Sequence, residues 1–170
     1  TLAHPLYAPR ELSRTAHNAW TLAEITFTPK QAEPTGLTAT QNGTPASTTY
    51  KYRVTAIADE TFEESLPALN ATTRTITGAS QSNPVTVTAT SHGFANGEEV
   101  EIGGVVGMTE LNGRRFAVAN QAANTFELKG ENGLAYAAYV SGGTANLTLV
   151  KVTNGAATLS ARSILCPRIG

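Results

Sequence analysis

Three histidines, thirteen carboxylates and one cysteine are the residues of this 170-residue chain best suited to hold a metal or move a proton. His4, His17 and His92 fall in three separate segments, with no tight spacing of the kind that brings metal ligands to one point. His92 sits in Ser91-His92-Gly93-Phe94, where an imidazole ordinarily caps a turn. The acidic residues gather at Asp59-Glu60, Glu63-Glu64 and Glu98-Glu99/Glu101. Glycoside hydrolysis needs two carboxyls about 5–10 Å apart across a cleft. Glu99 and Glu101, two apart on one strand face, would stand about 7 Å apart. Neighbouring acids on a wet face are ordinarily solvated, and no aromatic sugar platform accompanies these, so they are not assigned as a catalytic pair. The 59–64 run lacks the spacing of a calcium loop and reads as solvated.

Cys166, the single cysteine, can form no intrachain disulfide and has no neighbouring histidine, so an inert thiol is expected. No Gly-x-Ser-x-Gly elbow occurs. Gly103-Gly104 and Gly142-Gly143 precede strand-like sequence rather than a helix whose amides could cradle phosphate, so they read as turns or bulges. The reading therefore assigns no catalytic, cofactor-binding or metal-binding residue. Tyr136 and Tyr139, with Leu134, lie in a Gly- and Ala-rich loop and are candidate contacts to a protein or sugar partner. The alternative is that both rings cover the end of the domain.

Composition bounds the elements that must position these groups. Hydrophobic residues make up 41% and charged residues only 15%, with 15 Gly and 8 Pro. Abundant Thr and Val favour pleated, half-buried surfaces, so the chain is expected to be all-β. A net charge of −1 supplies no basic field for phosphates, and no specific nucleic-acid binding is expected. No apolar run approaches the roughly 18 residues of a bilayer-spanning helix, so no membrane insertion is expected. The absent initiator Met suggests a fragment or a processed chain.

Five Asn-Gly pairs begin at Asn42, Asn96, Asn112, Asn132 and Asn154. Asn-Gly suits the two-residue type I′ hairpin turn, in which both residues take positive φ. Four segments follow. Residues 1–30 read as two strands around a loop, the end of an upstream β domain. Residues 35–77 hold β segments at 36–40, 49–58 and 71–77, with Tyr50, Tyr52, Val54 and Ala56 on one face. Residues 84–144 form a small β-barrel with strands at 85–89, 99–102, 115–118, 125–128 and 138–140. Val100, Ile102, Phe116, Val118, Phe126 and Leu128 alternate inward as its core. Residues 146–170 contribute a C-terminal hairpin, 147–152 with 158–164, and a tail. The expected architecture is a small barrel inserted in, or following, a partial fibronectin- or Ig-like sandwich that the C-terminal hairpin could complete.

Three stretches carry family resemblance. PTGLTAT at 34–40 with YKYRVTAIADETFEES at 50–65 resembles the start of fibronectin type III-like domains of bacterial and phage proteins. SHGFANGEEVEIGGVVGMTELNGRRFAVANQAANTFEL, within 84–144, resembles the barrel module that phage sequences share with the first catalytic-cysteine half-domain of ubiquitin-activating enzymes. The barrel scaffold is what this resemblance implies, since the module holds no Cys. LAHPLYAPRELSRTAHNAWTLAEITF at 2–27 resembles a propeller-blade segment of the tail tubular protein B, or nozzle, family of short-tailed bacteriophages.

Together these resemblances imply a non-enzymatic structural component of a bacteriophage virion tail, assembled in the host cytoplasm beside other tail proteins. The nozzle family further implies a homo-oligomer, a hexameric ring. The alternative expectation is a module that decorates the particle and binds a host-surface glycan or protein receptor. A third, a hydrolase of envelope polysaccharide, would have only Glu99 and Glu101 as nameable acids.

Overall fold

Strand-forming sequence dominates the described residues, which are 1–4, 7–25, 29–153 and 157–162 of a computed structural model. The fold is all-β; among the described residues the one helical element is a 3-10 turn, Thr109–Leu111. The chain divides into two units, Thr1–Lys30 and Gln31–Gly170.

The first unit is an antiparallel meander of β1 (Leu2–His4), β2 (Tyr7–Ala16) and β3 (Ala19–Glu24). Three strands stand where two were expected, because the chain ahead of the loop also pairs. Leu12 faces Leu22, and Arg14 faces Trp20 across the β2–β3 hairpin. The Arg14 guanidinium lies 5.5 Å from the Trp20 ring centre. β3 ends at Glu24, and Thr26 and Phe27 lie outside the described residues.

In the second unit, β4 (Thr35–Gln41) and β5 (Tyr50–Tyr52) come before the barrel. The barrel runs through β6 (Thr73–Thr75), β7 (Gly78–Ala79), β8 (Thr86–Thr88), β9 (Glu99–Val106), β10 (Arg114–Ala119), β11 (Thr125–Leu128) and β12 (Ser141–Leu147). Their order is β6-β12-β9-β10-β11-β8-β7. The two outer strands are consecutive in the chain. Between them Ile76 N–H donates to Gly143 O and Thr77 N–H to Thr88 O, each at 2.9 Å. One bent segment therefore serves both edges, and the sheet closes on itself without a free edge.

The interior is the one the alternation specifies. Val100, Ile102, Phe116, Val118, Phe126 and Leu128 are all buried, joined by Ile76, Met108 and Leu111. Sequence reading also placed a strand at 138–140. Those residues are irregular, and the strand begins at Ser141. Gly104 and Gly143 then face each other across β9 and β12, with φ of +72° and +99°. They bend two paired strands that keep one register, where turns or bulges were expected. A Cβ on Gly143 would stand 2.6 Å from Val105 Cγ2.

After the barrel come β13 (Val150–Val152) and β14 (Ala157–Arg162). They do not form the expected hairpin with each other. β13 pairs with β5 and β14 with β4, giving two two-stranded sheets around a second cluster of Leu37, Ala68 and Val150. Asn154 and Gly155 lie outside the described residues. Two further expectations change. The strand expected over 49–58 is confined to Tyr50–Tyr52, and the third segment of 35–77 joins the barrel through β12. The barrel is thus inserted between strands of a partial sandwich.

The described Asn-Gly pairs do not make type I′ turns. At the described pairs no Asn has positive φ, while Gly43, Gly97 and Gly113 do. Asn112 has φ −68° and ψ 136°, and Gly113 has φ +70°. Those values fit a type II corner. Longer loops join these strands, and the Asn side chain becomes a tie: Asn112 brackets Val105 by accepting from its N–H at 2.8 Å and donating to its carbonyl at 2.9 Å.

Candidate functional site

The charged residues converge where the barrel meets the sandwich strands. Glu98 has the same strand parity as Val100 and Ile102, so its side chain turns inward and is only 2% exposed. Ala95 N–H donates to its Oε2 at 2.9 Å. Lys51 Nζ lies 2.9 Å from Oε1 and Lys151 Nζ 2.8 Å from Oε2. The Lys51 contact has ion-pair distance without hydrogen-bond angles. The two lysines are direct partners across β5 and β13, so both project from one face of that pair. Burial pushes the Glu98 carboxyl up, but Lys151, Lys51 and the Ala95 amide outweigh it and hold the group below the usual carboxylate range. Lys151 also donates to Gly93 O at 2.9 Å.

A second tie uses Arg115 of β10. Its Nε donates to Glu101 Oε2 at 2.9 Å, its Nη2 donates to Glu33, and its buried Nη1 has no hydrogen-bond partner. Glu33 lies just ahead of β4, and this segment is thereby fastened to the barrel. Glu101 is therefore an ion-pair member, while the Glu99 carbonyl, from the same strand, accepts from Thr148 N–H at 3.1 Å.

A third knot closes one end of the barrel. Arg114 donates through both terminal nitrogens to Glu131, at 2.7 and 2.8 Å, and through Nη1 to Tyr136 at 3.0 Å. The Tyr136 hydroxyl in turn donates to Glu131. Burial raises the Glu131 carboxyl, but Arg114 and Tyr136 bring it below its ordinary range. Glu131 in turn raises both Arg114 and Tyr136. Tyr139 donates to Ile76 O and Gly142 O, each at 3.1 Å. The rings of Tyr136 and Tyr139 both pack on the barrel core. The more exposed apolar surface of this region comes from Leu134, Val140 and Val106.

His92 is buried in the barrel wall. Its Nδ1 accepts from Phe94 N–H at 3.0 Å, which assigns the proton to Nε2, 3.2 Å from Thr125 O. The ring lies 4.9 Å from Phe94 and 5.1 Å from Phe126 between centroids. The turn-capping expectation holds, and the ring is a core member besides. Among the described residues no group of three or more His, Cys, Asp or Glu is placed to hold a metal ion. Cys166 lies outside the described residues.

Beside the Lys151 knot, two adjoining cavities of about 210 and 290 Å³ share Asn70, Thr72 and Lys151. Arg74 lines the first and fixes its Nε on His92 O at 2.9 Å. Sequence reading did not single out Lys51, Lys151, Arg74 or Glu33. The inward parity of Glu98 was the available signal, because a carboxylate on a core face needs a cation. The cations themselves come from strands about 50 residues away on either side, beyond any local pattern.

Residues 80–151, less than half the chain, match the family model of the ubiquitin-activating enzyme E1 FCCH domain. The match takes in β8 through β12 and reaches into β13. This part of the chain is similar to that domain, in agreement with the resemblance read from SHGFANGEEVEIGG. Comparison with curated proteins found no match.

Proposed function

We propose that this chain is a non-enzymatic structural component of a bacteriophage virion tail, a nozzle or tail-tube-associated protein that works beside other tail proteins. One observation carries the mechanical part of this reading. Glu98, Glu101 and Glu131, acidic groups on or beside the barrel, each hold a cation from another strand. Such groups act as ties between β elements, which suits a part that transmits load. The tail location rests on the nozzle-like sequence at 2–27, the fibronectin-like sequence at 34–65 and the barrel. By the same resemblance the chain would assemble as a homo-oligomeric ring. Immunogold electron microscopy of intact particles, with antibody raised against this chain, tests it. Label at the tail is expected; particles free of label would overturn the proposal.

A second reading, a host-surface binding decoration, draws on exposed Leu134, Val140 and Val106 near Tyr136 and Tyr139. It expects saturable attachment of the isolated chain to host cells, weakened by Leu134→Ser with Val140→Ser. Non-saturable attachment, unchanged in that variant, would exclude it.

A further inference from the structure

The loop between Ile57 and Glu64 is built around an unusual residue. An antiparallel bridge joins Ile57 to Glu64, Ala58 N–H donates to Glu63 O, and Phe62 N–H donates to Ala58 O. The loop is thus closed by its own backbone. At its tip Phe62 has φ +55° and is 81% exposed, and Ile57 is 65% exposed. Bulky residues rarely adopt positive φ, and the loop holds this one there with its ring in water. Asp59, Glu60, Glu63 and Glu64 flank it in the chain, and Glu64 accepts from the Thr55 hydroxyl at 2.7 Å. The result is an aromatic tip on an acidic finger.

Elsewhere in the same unit lies a receptacle of opposite character. The cavity beside the Glu98 knot is floored by Phe94 and Leu147 and walled by Asn70, Thr72, Arg74 and Lys151. Arg74 uses Nε for the His92 carbonyl, and among the described residues its two terminal nitrogens make no hydrogen bond. They are free to meet carboxylates in the forked geometry that guanidinium favours.

We propose that the Phe62 finger of one copy docks in the Arg74 cleft of a second copy. Phe62 would enter the cleft above Phe94 and Leu147, themselves 4% and 8% exposed, with the finger's carboxylates facing Arg74. The occupant is chosen by complementarity: an exposed aromatic tip flanked by acids meets a cleft whose wall carries the Arg74 guanidinium. Finger and cleft are different patches, so the contact is head-to-tail, leaving one free finger and one free cleft in every pair.

Sedimentation velocity of the full chain over a concentration series tests this. The wild type is expected to self-associate with rising concentration, and less so in high salt. Phe62→Ser and Thr72→Glu, both at exposed positions, are each expected to stay monomeric. Their equimolar mixture should recover a species of about twice the monomer mass, because one chain keeps its cleft and the other its finger. Arg74→Glu mixed with Phe62→Ser should do the same. Circular dichroism melts matching the wild type would show that the variants are folded. A wild type that stays monomeric at millimolar concentration overturns the proposal. So does self-association untouched by Phe62→Ser, or a mixture of folded variants that fails to associate.

Discussion

Single side chains here act by being held. His92 accepts one backbone amide and fills space between two phenylalanines, so His92→Ala removes both a core ring and an acceptor. We expect a loss of about 2–4 kcal/mol in urea unfolding; an unchanged midpoint would contradict this packing role. Phe116→Ala should cost about 3–5 kcal/mol by the same measurement, since that ring is buried in the barrel. Glu98 adds a pH dependence. Its carboxyl is held below its ordinary value in the folded chain, so its contribution is fully present above the unfolded value, about 4.3, and is lost as pH falls through the folded one. Stability of the wild type should fall with acidification in that range, and fall less steeply in Glu98→Gln. Equal slopes would remove Glu98 from the acid response.

At the scale of elements, the barrel interior was legible because strand alternation has a period of two and the core face follows from it. Val100 to Leu128 show this. The turns were misread because Asn-Gly identity only favours a positive φ at the glycine, taken at Gly43, Gly97 and Gly113 and not at Gly133; at Asn112 a following corner and a side-chain tie to Val105 select another geometry. The C-terminal hairpin was misread for a different reason. Sequence adjacency favours β13 with β14, but each finds a partner more than 90 residues away, and no local pattern encodes that choice. The bend shared by Gly104 and Gly143 supplies an element-scale test. Gly143→Ala places a Cβ 2.6 Å from Val105 Cγ2 at φ +99°, and should destabilise the barrel by about 2 kcal/mol or more. A variant as stable as the wild type would show that this bend relaxes freely.

Across the Gln31–Gly170 unit, two ion-pair ties fasten the barrel to its surroundings: Lys51 and Lys151 on Glu98, and Glu33 on Arg115. Each joins groups far apart in sequence, so neither could be read from composition, which shows only a chain of nearly balanced charge. Removing both ties, as Glu98→Gln with Arg115→Ala, should separate the melting of the sandwich strands from that of the barrel in calorimetry of the full chain. Coincident melting in that variant would mean the backbone alone couples them. The pairings also nest like brackets: Thr35 with Arg162 outermost, then Gln41 with Ala157, Tyr52 with Val150, and Thr73 with Asn146. A pull applied at Thr35 and Arg162 would therefore open the unit like a zipper, one rung at a time from the outside. Tension would reach the barrel last, after the outer strands had already lengthened and absorbed the stroke.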